Sequence, residues 1–121
     1  YELSWRGKGS PFSSDGKGNM ISVGGDKVYL LGNVRSIFSE LNQEQHRDGN
    51  HFLVGVSSRT DEPDWARDLL DKFLLDDGIT PMASVLNGPI EISYDSKRNH
   101  FLRMSSQTGI ALQDMVFFDN E

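Results

Sequence analysis

Apolar residues switch from a continuous run to a helical period within one stretch, His51 to Phe73, and the other segments order themselves around it. Phe52, Leu53, Val54 and Val56 form a short apolar run rich in strand formers. Ser57, Ser58, Arg59 and Thr60 follow as a polar turn at its carboxyl end. Thr60 or Asp61 is placed to cap a helix, and Pro63 suits the first turn, where its missing amide costs nothing. Trp65, Ala66, Leu69, Leu70, Phe73 and Leu74 then recur at helical spacing, while Asp64, Arg67, Asp68, Asp71 and Lys72 fill the opposite face.

Ahead of this stretch, residues 1–18 are rich in Gly, Ser and Lys and read as a long loop, although Tyr1, Leu3, Trp5 and Phe12 give it apolar weight. WRGKGSPFSSDGKGN fails as a phosphate-binding P-loop, because Pro11 stands where a glycine is needed and Gly18 where a hydroxyl is needed. Residues 20–31 read as a β-hairpin, with Met20 to Val23 and Lys27 to Leu31 joined by Gly24, Gly25 and Asp26. Asn33 opens a helix with Val34, Ile37, Phe38 and Leu41 on one face, and Gly49 is its natural stop.

Beyond Phe73, Asp76, Asp77 and Gly78 break the period. Either Val85 and Leu86 or Ile90 to Ile92 supply the next strand. Tyr94, Asp95 and Ser96 turn the chain into a helix from Lys97 to about Thr108, with Phe101, Leu102 and Met104 or Ser105 inward and Gly109 closing it. Met115 to Phe118 reads as a last apolar strand, followed by Asp119, Asn120 and Glu121. Strands that alternate with helices imply an α/β domain with a parallel sheet, its core spanning residues 33–121 of a single domain over 1–121.

A chain of 121 residues supports one core and not two. The formal charge of -6 opposes the sign that nucleic acid or an anionic membrane would attract, so neither is an expected partner. No apolar run is long enough to span a bilayer, no leader segment is visible at the start, and a cytoplasmic location is expected. The absence of cysteine removes disulfides, thiolate metal sites and cysteine nucleophiles together. His46, His51 and His100 lack metal-ligand spacing and read as surface or strand-edge residues.

In a parallel α/β sheet, ligands bind off the carboxyl ends of the strands. There the expected fold gathers the hydroxyl of Ser58, the guanidinium of Arg59, Lys97 at a helix start, and the acidic end of the last strand. Such groups suit a phosphate and a magnesium ion. Phosphoryl transfer needs mostly positioning and charge stabilisation, so these residue types supply its supporting cast, and a carboxylate nucleophile would complete it. A receiver-like signalling domain is disfavoured, because no strand-end aspartate stands in mid-chain.

SSRTDEPDWA, SKRNHF and GIALQDMVFFDNE, in that order, resemble the magnesium-dependent phosphatase family of the haloacid dehalogenase superfamily, and the resemblance extends over essentially the whole chain, KVYLLGNV included. It implies a Rossmann-like three-layer fold, here incomplete at both ends. It implies that Ser58 and Arg59 bind the phosphoryl group, that Lys97 steadies phosphate and nucleophile, and that Asp119 and Asn120 hold Mg2+. Many relatives carry two aspartates where Asp119 and Asn120 stand, and the asparagine keeps an oxygen while losing a charge. The family's Asp-x-Asp nucleophile motif is found nowhere in this chain, whose first residue falls just after the place for it, so the chain by itself is expected to be inactive. The expected function is a phosphomonoesterase acting on a phosphorylated small molecule or a phosphoprotein, of the phosphotyrosine or sugar-phosphate type, through an aspartyl-phosphate. The alternative is a phosphate-binding module without catalysis.

Overall fold

The computed structural model describes residues 9–47 and 51–118. Its elements run β1 (Ser13–Ser14), β2 (Met20–Ile21), β3 (Lys27–Val28), α1 (Val34–Gln45), β4 (Val56–Arg59), α2 (Pro63–Lys72), a 3-10 turn (Met82–Val85), β5 (Ile90–Ser93), α3 (Lys97–Thr108) and a second 3-10 turn (Leu112–Asp114). The first three strands form an antiparallel sheet in the order β1-β2-β3, and β4 and β5 form a separate parallel pair. The architecture is therefore mixed α/β, with one hairpin sheet and one parallel pair.

The hairpin stands where the pattern places it. Ser22 accepts the amide of Gly25 at 3.0 Å, and Gly25 takes a φ of 89°, a conformation that costs glycine little. Ser13 and Ser14, inside the stretch expected as loop, pair with Ile21 and Met20 as a third strand. That strand places Phe12 in the core. Its ring meets Trp65 edge-on at 6.5 Å, while its backbone is bracketed by Asp68, which accepts its amide at 2.8 Å, and Lys72, which donates to its carbonyl at 2.5 Å.

The apolar core lies between the hairpin sheet, α2 and the first 3-10 turn. Phe12, Met20, Val28, Leu69, Phe73, Leu75, Met82 and Val85 are all buried there. Burying side chains of this size contributes about 2 kcal/mol each. Val34, Phe38 and Leu41 of α1 pack on its rim, half-buried, whereas Ile37, expected on the same face, is 49% exposed. The stop at Gly49 lies outside the described residues; α1 ends at Gln45, with His46 as its cap.

Two expected strands are displaced. Phe52, Leu53 and Val54 lie outside β4, and Phe52 and Leu53 are exposed. The ladder begins later because Gly88 and Pro89 bring β5 in at that point. The Gly88 amide donates to the Val54 carbonyl at 2.9 Å, and the Val56 amide donates to the Pro89 carbonyl at 3.0 Å. Gly55 permits the approach, since a Cβ there would stand 2.6 Å from the Pro89 oxygen. Consequently Ser57, Ser58 and Arg59, expected as a turn, are strand residues opposite Glu91, Ile92 and Ser93. Met115 to Phe118 is the second correction: these residues pair with no described strand, and Val116 and Phe118 are 80% and 84% exposed. An apolar run with no described neighbouring strand has no ladder to join. No helix among the described residues is long and apolar enough to cross a membrane.

Candidate functional site

The candidate site lies where the carboxyl ends of β4 and β5 meet the amino end of α3. Parallel strands place both carboxyl ends on one side, and the Tyr94–Ser96 turn returns the chain there as a helix. Ser96 caps that helix by accepting the Asn99 amide at 3.1 Å, and Gly109 closes it in the left-handed conformation at φ 72°.

A polar clamp fixes the turn. Asp95 accepts from the Asn99 side chain at 2.9 Å, from Arg103 at 2.8 Å and from the Ser96 amide at 2.7 Å. These donors, the Asn99 amide and the Arg103 guanidinium foremost, hold the Asp95 carboxyl at about 2. Arg103 also donates to Glu91 on β5 at 2.9 Å, so a single guanidinium ties strand, turn and helix together. Its own pKa is raised by those carboxylates, Asp95 first.

Lys97, the first residue of α3, reaches across to β4. Its Nζ donates to the carbonyl of Ser57 at 2.8 Å, one residue before Ser58. The same ammonium lies 5.0 Å from the centre of the Phe117 ring, which in turn packs edge-on against Phe101 at 4.7 Å. The segment expected as a strand thus serves as an aromatic wall beside the lysine. Arg59 is exposed at the end of β4, with its guanidinium 4.6 Å from the ring centre of Tyr94 at the end of β5.

Beneath Lys97 lies a group that the sequence pattern did not flag. His100 was expected at the surface and is fully buried. Its Nδ1 lies 2.9 Å from the Ser57 hydroxyl and its Nε2 lies 3.0 Å from the Ser93 hydroxyl. Each serine satisfies one ring nitrogen, and burial pushes the imidazole pKa down, so the ring is neutral, with one nitrogen donating and the other accepting. Helical spacing from Lys97 through His100 to Met104 already marked one inward stripe; reading only apolar residues as inward concealed it. The other two histidines match the expectation: both are exposed, and His46 Nδ1 lies 2.7 Å from the Asn42 carbonyl.

The sequence-derived site residues are therefore brought together in part. Ser58 and Arg59 close β4, and Lys97 reaches the backbone carbonyl of Ser57 beside them. Ser57 faces α3 through its hydroxyl, so alternation along the strand turns Ser58 toward the other face, beside the buried Ile92. Asp119 and Asn120 lie outside the described residues, and among the described residues no group of three His, Asp or Glu side chains forms a metal cluster.

The acid phosphatase family matches the chain over residues 5–121. A HAD-like hydrolase superfamily protein of Schizosaccharomyces pombe is 27% identical over 116 residues, covering 93% of this chain. The chain spans 63% of that relative's length. No solved structure matches it. A match over nearly every residue, across both the Ser-Arg strand end and the lysine-led helix, shows that the chain belongs to the acid phosphatase family.

Proposed function

We propose that the protein of which this chain forms part hydrolyses phosphomonoesters by way of an aspartyl-phosphate, with Ser58, Arg59 and Lys97 holding the transferring phosphoryl group. The supporting observation is the 2.8 Å contact from Lys97 Nζ to the Ser57 carbonyl, which carries the ammonium from a different element to the backbone beside Ser58. Lys97 balances negative charge on the phosphoryl oxygens and on the attacking carboxylate. A phosphoryl group seated over the carboxyl edge of β4, between its two faces, accepts from the Ser58 hydroxyl on one side and meets Lys97 on the other, and Arg59 binds a further oxygen with its guanidinium fork. Its stacking on Tyr94 keeps that fork at the mouth of the site. The nucleophile is an aspartate outside this chain.

Magnesium belongs to the same reading. Asp119 and Asn120 supply oxygen donors of the kind this ion takes, and when bound it offsets charge on the phosphoryl oxygens. The parallel pair is read as part of a larger Rossmann-like three-layer sheet. The substrate is a phosphorylated small molecule or a phosphoprotein, with phosphotyrosine and sugar phosphates as the candidate classes.

Turnover of p-nitrophenyl phosphate by the full-length protein, with magnesium and with EDTA, tests this. Magnesium-dependent release of phosphate is the expected result. Binding of phosphate or tungstate without turnover would favour the phosphate-binding module instead, and absence of both would refute either reading.

A further inference from the structure

We propose that His100 is a positioning residue, one that sets Lys97 against β4 by locking Ser57 in place. This inference rests on the phosphatase reading for its activity arm only. Three observations carry it. First, His100 sits one helical turn after Lys97, on the same face of α3. Second, both residues hold Ser57: Lys97 through the backbone carbonyl at 2.8 Å, and His100 through the hydroxyl at 2.9 Å. Third, the remaining ring nitrogen is taken by Ser93 at 3.0 Å, on the neighbouring strand.

The imidazole therefore bridges β4 and β5 while fastening both to the helix that carries the lysine. In a buried site such a bridge is rigid, because each of these polar atoms would lose the partner described for it on moving. A lysine side chain is long and flexible, and its useful position depends on what fixes the carbonyl it reaches. His100 touches neither substrate nor reacting atoms in this reading. It acts through Ser57.

The two ring nitrogens make the idea separable from a general packing role. In His100→Asn the amide falls near the place of Nδ1 and can keep the link to Ser57. In His100→Gln it falls near Nε2 and can keep the link to Ser93. A residue that merely fills space would tolerate both equally. A residue that positions Lys97 through Ser57 needs the first link more than the second. Met104→Ala is the packing control, since Met104 is buried on the same helix, one turn further on, packs beside Gly55, and takes no part in the hydrogen bonds to Ser57.

The experiment uses the full-length protein and two readouts. In steady-state turnover of p-nitrophenyl phosphate, His100→Gln should lower kcat roughly 10- to 100-fold with KM changed less than about threefold, as expected for a displaced catalytic group. His100→Asn should recover most of that loss, and Met104→Ala should lower the melting temperature while leaving kcat within about twofold. In NMR of protein labelled at lysine Cε, the Lys97 signal should move toward that of a solvated lysine in His100→Gln and in Ser57→Ala, and stay near its wild-type position in Met104→Ala. Equal kcat losses in His100→Asn, His100→Gln and Met104→Ala would overturn the proposal, as would an unmoved Lys97 signal in both His100→Gln and Ser57→Ala. A wild-type protein that turns over no phosphate ester would count against the phosphatase reading, and the NMR arm would still decide for or against the positioning role.

Discussion

Helices α2 and α3 are built by opposite means. Helix α2 is held by oil: Ala66 and Leu69 are buried, and Phe73 and Leu75 just beyond it plug the core under the hairpin sheet. Helix α3 is held by polar contacts: Lys97 to a carbonyl, His100 to two hydroxyls, and Arg103 to two carboxylates, with Met104 as its one buried apolar side chain. Apolar packing tolerates small displacements, whereas hydrogen bonds in a buried site fix atoms within a few tenths of an ångström. On the proposed reading, in which α3 presents an ammonium to a phosphoryl group, the second kind of attachment is the useful one. The comparison therefore separates the part of the molecule that supplies stability from the part that supplies geometry.

The largest effect that would sharpen this contrast belongs to α2. Phe73→Ala should cost about 3 to 5 kcal/mol of folding stability, read from denaturant midpoints, because the ring is fully buried and its neighbours come from several elements. Lys97→Ala, by contrast, should leave the midpoint nearly unchanged and lower kcat of the full-length protein at least roughly 100-fold, equivalent to about 2.7 kcal/mol of transition-state stabilisation. A Lys97→Ala variant that unfolds as readily as Phe73→Ala would erase the distinction.

Smaller effects follow from titration. His100 has a folded pKa below its ordinary value of 6.5, because burial penalises the charged ring. The unfolded chain therefore takes up a proton first as pH falls. The stability held by the neutral ring is fully present above about pH 6.5 and is lost as pH drops toward the folded pKa. Melts between pH 7.5 and 5 should show this decline in wild type and a flatter profile in His100→Asn. Asp95 behaves in the same direction lower on the scale. Its carboxyl sits at about 2 instead of 3.8, so its contribution is present above about pH 4 and fades as pH falls toward 2. Asp95→Asn should remove that acid-range slope, the smallest of these effects, because the carboxyl is only half-buried and solvent screens it.

The same contrast decides what could be read from the sequence. Helix α2 was legible because Trp65, Ala66, Leu69, Leu70 and Phe73 repeat at helical spacing and Pro63 marks the start. The bounds of α3 were legible too, from Ser96 and Gly109, but its inward face was not. Periodicity counts apolar residues, and here the inward stripe includes a lysine and a histidine. Phe101 and Leu102 drew attention instead, and Leu102 is 46% exposed. The strand at Val56 was displaced for a related reason. Phe52, Leu53 and Val54 look more like a strand than Ser57 and Ser58 do, yet pairing is set by where the partner chain arrives, and Gly88 and Pro89 deliver β5 beside Val56. The candidates Ser58, Arg59 and Lys97 come from residue chemistry and family likeness. Ser57, Ser93 and His100, which hold the site from beneath, became visible only through their contacts.

The most direct test of the account compares kcat for full-length wild type, Lys97→Ala and Asp114→Ala on p-nitrophenyl phosphate in magnesium. Asp114 is exposed in the turn after α3. Loss of at least roughly 100-fold in Lys97→Ala, beside wild-type turnover in Asp114→Ala, is the predicted result. Equal turnover in the two variants, whether both retained or both lost, would contradict it.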